Sequence, residues 1–172
     1  MPLGRVTYLG RNYRLKIMRE SAEPLLFDGR HFWLATDARS EAEAHFRRWY
    51  IRTGRGWLSE RTAALARKTG TEASRIEVRD LGFRWGSCGK HGVLFFNWRL
   101  LQLPVRFIDY VIVHELVHLQ EPHHSAEFWQ AIGRALPAWR QLKDALRSDA
   151  TRFLVFGMDA LRSLERAASS RH

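Results

Sequence analysis

The sequence predicts an α+β domain built on one buried helix, and three observations lead there. Val111 to Leu119 is an apolar run of about two and a half turns, stopped by Pro122, which cannot donate a helical hydrogen bond. Residues 40–68 keep a rough helical spacing of apolar positions over a long, charged stretch. Short β-type segments gather around turn signals at residues 10–12, 28–29 and 86–91. A chain of 172 residues is most simply one domain. Here it would occupy 1–150, with hairpins in 1–38, a long helix in 40–68, a core in 75–130 and a C-terminal extension in 151–172.

Taken in order, Val6 to Leu9 and Tyr13 to Met18 read as two strands around Gly10-Arg11-Asn12. Leu25 to Phe27 and His31 to Ala35 form a second hairpin across Asp28-Gly29. The expected result is a small antiparallel sheet packed through Tyr8, Tyr13, Phe27, Phe32 and Trp33, with His31 an ordinary strand residue. Ser40-Glu41-Ala42-Glu43 has the form of a capping box and should open the long helix, with Gly54 and Gly56 weakening its middle. A strand is expected from about Ser74 to Trp85 and another from Gly92 to Asn97, joined by the loop 86–91. That second strand would be an exposed edge beside the buried helix. Ser125 is placed to cap a helix over Ala126 to Leu136, and Pro137 to start one over Ala138 to Arg147. Phe153 to Phe156 reads as a last strand or an apolar contact, and Met158 to Ala168 as a tail helix.

The central helix is apolar but not only apolar: it contains His114-Glu115-Leu116-Val117-His118, the pattern H-E-x-x-H. At about 100° per residue, His114 and His118 project from one face, side by side. Glu115 sits one position round. Burying such groups costs free energy unless something satisfies them, and a divalent metal would. Paired histidines with an adjacent glutamate are the signature of zinc hydrolases, the glutamate serving as general base. Catalytic zinc usually takes three protein ligands. After Pro122 the chain can return, and His124 stands six residues beyond His118, the offset of the third histidine in metzincins. Glu121 occupies the place of their glycine, so the turn must be made differently. His123 competes for the third place, and Glu127 is a more distant alternative.

These residues carry a family resemblance. Trp85-Gly86-Ser87-Cys88, Asn97, Leu101, Pro104, Tyr110-Val111, His114 to Leu119, His124-Ser125 and Phe128-Trp129 resemble the YgjP-like metal-dependent hydrolases, of zincin fold and related to the SprT and WLM groups. The close match runs from Trp85 to Trp129, 45 of 172 residues. It implies a zincin-like metallopeptidase domain, a small mixed or antiparallel sheet packed on the active-site helix. It also implies Zn2+ at His114, His118 and His124, with Glu115 as the catalytic carboxylate. Trp85, Ser87, Cys88 and Asn97 are the substrate-binding candidates. Cys88 could alternatively be a nucleophile paired with a histidine, a reading that leaves H-E-x-x-H without a purpose. Tyr110 and His123 are candidates for a second oxyanion donor.

The net charge of +10, from 28 basic and 18 acidic residues, favours acidic or phosphate-bearing partners. The 24 arginines are spread along the chain, which weakens a nucleic-acid reading but leaves a nucleotide possible. No apolar run reaches the ~20 residues of a membrane span. One cysteine and no apolar leader fit the cytoplasm. The expected function is hydrolysis of peptide bonds in polypeptide by zinc-activated water. The alternatives are hydrolysis of a non-peptide bond such as a nucleotide phosphoanhydride, and a binding module with structural zinc.

Overall fold

The computed structural model describes residues 4–150 together with Arg152 and Phe153. Two small sheets flank a long helix. In the first, β1 (Arg5–Tyr8), β2 (Arg11–Met18), β3 (Leu25–Phe27) and β4 (His31–Ala35) lie in the order β1-β2-β4-β3. Both expected hairpins form, yet β2 and β4 run parallel, Leu15 opposite Phe32 and Ile17 opposite Leu34. The sheet is therefore mixed, not antiparallel. Its inner face is aromatic: Phe27 and Phe32 stack at 4.5 Å, and Trp49 meets Phe32 edge-on at 4.8 Å. Trp33 is not part of this packing. It points outward, where its indole donates to Asp28 and Lys16 lies over its ring. His31 lies 3.7 Å from the Asp28 carboxylate.

Helix α1 (Ala42–Thr69) runs behind both sheets. The capping box does not form: Ser40 lies in a 3-10 turn over Thr36–Glu41, and Glu41 holds the cap position without a side-chain bond. Gly54 does not interrupt α1. It is buried, and a Cβ there would meet Leu101 Cδ2 at 3.1 Å, so the missing side chain lets α1 approach the segment before the central helix.

The second sheet has the order β5-β7-β6, from β5 (Arg75–Arg79), β6 (Gly86–Cys88) and β7 (Val93–Asn97). Two expectations change here. The strand expected to Trp85 stops at Arg79, because Asp80 accepts from Gly82 N at 2.9 Å and Gly82 turns left-handed at φ +62°. The loop 86–91 begins as a strand, antiparallel to β7, while β5 pairs with β7 in parallel. Among the described residues β7 is central and β5 and β6 are the edges, with β6 the edge beside the central helix.

After a 3-10 segment over Trp98–Gln102, α2 (Val105–His118) is the buried central helix, with Phe107, Ile108, Ile112, Val113 and Leu116 fully covered. It ends at His118, short of the Pro122 that was expected to stop it, although Glu121 N still reaches Val117 O at 2.9 Å. Arg61 of α1 donates twice to Asp109 of α2, each bond 2.6 Å, which fixes the two helices laterally. Then α3 (Ala126–Ala135) and α4 (residues 139–150) close the far side. Phe153 is helical, and its ring contacts Phe107 at 6.3 Å. The expected elements from Leu154 to Ala168 lie outside the described residues. No described helix is long and apolar enough to cross a membrane.

The β1–β2 turn locks the first sheet to the start of α2. Leu9 N donates to Leu101 O at 2.7 Å, and Gly10, at φ +76°, lies so close that a Cβ would stand 2.7 Å from Pro104 Cα. Gly10→Ala combines a left-handed backbone with backbone overlap. It should cost about 2–4 kcal/mol and lower the Tm by several degrees. An unchanged unfolding curve would show that this contact does not hold the sheet.

Candidate active site

The three histidines meet at the C-terminal end of α2. His114 and His118 stand one turn apart on it, and His124 returns from the loop before α3. Their Nε2 atoms form a triangle with all three sides 3.1 Å. Three nitrogens sharing one tetrahedral ion at ~2.0–2.1 Å would stand about 3.3 Å apart, so the triangle could hold one small divalent cation. His123 and Glu127 are exposed and stay out of this group. Leu119 keeps helical φ and ψ, and residues 119–125 contain no positive φ; the return needs no left-handed glycine. Ser125 Oγ accepts from Phe128 N at 3.3 Å, which starts α3 where expected.

Each imidazole is held by its surroundings. His118 Nδ1 meets the Glu121 carbonyl at 3.0 Å, so this nitrogen carries the proton and Nε2 presents its lone pair to the centre. The Phe128 ring lies beneath all three, at 4.5–4.9 Å. Trp129 stacks on His124 at 5.6 Å, and Trp139 stacks on Trp129 at 4.5 Å. His114 Nδ1 is buried without a hydrogen-bond partner. Burial and the two neighbouring rings push His114 down to about 3, and burial lowers His118 as well. Both therefore stay neutral with lone pairs free, the state that ligates metal.

Glu115 is 7% exposed and is held at about 7 by burial, opposed by Arg84. Its side chain lies under Gly86 of β6, where a Cβ would come within 2.8 Å of Glu115 Cγ. Gly86 is thus a site residue that its sequence position did not reveal, because its contribution is the absence of a side chain. The cleft, about 550 Å³, is lined by β6 and by Lys90, His114, Glu115, His118 and Pro122.

Of the substrate candidates, Ser87 and Cys88 line this cleft, whereas Trp85 and Asn97 do not. Asn97 is buried and braces the 82–84 turn, donating to Gly82 O at 3.1 Å and Arg84 O at 2.9 Å. The Cys88 thiol is pushed up by burial and by Glu115, the opposite of what a nucleophilic thiolate needs. Tyr110, one turn before His114, is buried, and burial raises its hydroxyl to about 12.

A family profile described as YgjP-like, metallopeptidase domain, matches residues 2–149. The chain belongs to the YgjP-like metallopeptidase family. Membership makes it a metal-dependent peptidase domain, for which the histidine triangle offers a fitting place. Among solved structures, the metallopeptidase zymogen of Pyrococcus abyssi abylysin is similar at a TM-score of 0.50 and 19% identity. The match covers 54% of this YgjP-like chain and 93% of abylysin, and it supports the zincin-type fold. No curated protein matches.

Alanine at His114, His118 or His124 should reduce bound metal to well below one ion per chain, while His123→Ala and Glu115→Gln keep it. Metal analysis after dialysis reads this directly. Full metal content in His124→Ala with loss in His123→Ala would assign the third ligand to His123.

Proposed function

We propose that this protein is a zinc-dependent endopeptidase of extended, poorly folded polypeptide, with Glu115 as general base. The observation that supports it most is the juxtaposition of three things. A histidine triangle, the buried carboxyl of Glu115 and a strand edge left unpaired among the described residues share one cleft.

His114, His118 and His124 would hold the ion. A zinc ion there would supply Lewis acidity, acidifying water and polarising a carbonyl oxygen. The protein's own groups do the rest. Glu115, fixed between α2 and Gly86, accepts a proton from the attacking water as its oxygen bonds to the carbonyl carbon. The same carboxyl returns that proton to the amide nitrogen as the C–N bond breaks. The Phe128 ring under the histidines excludes water from that side, and β6 forms a wall of the cleft.

Strand β6 supports an extended substrate. Gly89 N bonds to Val93 O at 2.8 Å and Asn97 N to Trp85 O at 2.9 Å, which marks the hydrogen-bonded pairs along β7. By antiparallel alternation, Ser87 faces β7 while the N–H and C=O groups of Gly86 and Cys88 point away from it. Those groups can pair with an added strand and read backbone with little demand on side chains. A nucleotide finds less here. Among the described residues Lys90 is the lysine or arginine lining this cleft, with Arg84 near Glu115, and Arg48, Arg52 and Arg55 line a different groove. The intact Glu115 beside the triangle likewise favours catalysis over a purely structural ion.

Zinc-loaded protein should cleave casein-like unfolded chains, and chelator should stop it. Glu115→Gln should retain zinc while losing about 10²–10⁴-fold in kcat. Chelator-sensitive pyrophosphate release from nucleoside triphosphates, with polypeptide left intact, would replace this reading by the phosphoanhydride one.

A further inference from the structure

We infer that the turn over residues 80–84 is a substrate-recognition element, in which Phe83 receives an apolar side chain of the polypeptide lying along β6. This rests on the peptidase reading above.

Phe83 is 106% exposed, while the other exposed large apolar side chain among the described residues, Leu26, is only 39% exposed. A single exposed apolar residue is ordinary on a protein surface. Phe83 differs in how firmly it is presented. Asp80 Oδ1 accepts from Gly82 N, Arg84 N donates to Leu81 O, and Asn97 donates to the carbonyls on both sides of Phe83. Asn97 is itself 2% exposed, and its Oδ1 accepts from Arg99 N at 3.1 Å. A buried amide is therefore committed to shaping a turn whose central phenyl ring stands free in solvent. Fixing the backbone that carries a side chain before binding lowers the entropy lost on binding, which is the physical use of such a clamp.

Its location names the ligand. The chain passes from Phe83 through Arg84 and Trp85 directly into Gly86, where the cleft begins. Three residues span at most about 11 Å. A polypeptide added to the free edge of β6 advances ~3.3 Å per residue, so a side chain only a few residues from the bond above Glu115 reaches Phe83. In antiparallel pairing that side chain lies C-terminal to the substrate residues on Cys88. An apolar partner fits a phenyl ring flanked by the exposed Arg84, and an unfolded segment supplies such side chains where a folded protein buries them.

The test uses full-length zinc-loaded protein and pairs of unstructured peptides that differ only by Leu or Ser at each position around the cleaved bond. Wild type should prefer Leu at one position C-terminal to that bond. Phe83→Ser should abolish the preference, raising KM for the Leu peptide about 10-fold with kcat within about twofold. Phe83→Leu should restore most of it. Because the ring packs on nothing, all three proteins should share one Tm. Equal kcat/KM of wild type and Phe83→Ser on every peptide would overturn the inference and leave the peptidase reading standing. So would a wild-type dimer that Phe83→Ser converts to monomer with unchanged kinetics, since the turn would then bind a second copy. Failure of wild type to cleave any peptide would instead remove the peptidase reading, and this inference with it.

Discussion

The structure depends on a conflict within α2. Its flanks are among the most thoroughly buried surfaces in the protein, yet its last turns carry His114, Glu115 and His118. Each polar group left buried and unpaired costs roughly 1–3 kcal/mol. The fold meets that cost by gathering the polar groups at one end. The helix stops at His118, the chain turns back, and His124 completes a triangle with the other two nitrogens. A bound cation would turn three converging lone pairs from a cost into the attraction that closes the loop onto α3.

The histidines are supported by rings more than by hydrogen bonds. Of the three, His118 has a backbone acceptor, while Phe128 packs beneath all of them and the Trp129–Trp139 stack extends that support to α4. Across the cleft, Gly86 permits β6 to lie directly against Glu115. Strand β6 and the Glu115 side chain are thus in contact through the space of one missing Cβ. In the proposed reaction, one conformation of the second sheet would set both where an extended chain lies and where the proton goes.

The grouping of His114, His118 and His124 was legible in the sequence because helical periodicity is local. Two histidines four apart share a face wherever a helix forms, and Pro122 marks where the chain must turn. Strand order was not legible, because the partners are distant. Nothing near Leu15 or Val78 announces a parallel neighbour, and β2–β4 and β5–β7 are set by tertiary packing. Gly86-Ser87-Cys88 resembles a loop in composition and becomes a strand only by pairing with Leu94 to Phe96. The apolar run through Phe83 and Trp85 resembled a continuing strand, but Asp80 and the left-handed Gly82 end it first. The edge was thus expected on Gly92 to Asn97, which became the central strand, while the edge beside α2 formed from the segment expected to be the loop between the two strands.

X-ray absorption at the zinc edge, on protein carrying one equivalent of zinc, tests the central claim most directly. The arrangement of His114, His118 and His124 predicts three imidazole nitrogens at about 2.0–2.1 Å and one further light-atom ligand, with no sulfur. A sulfur scatterer near 2.3 Å would place Cys88 on the metal, and two imidazoles would leave His124 off it. Either result would contradict the account.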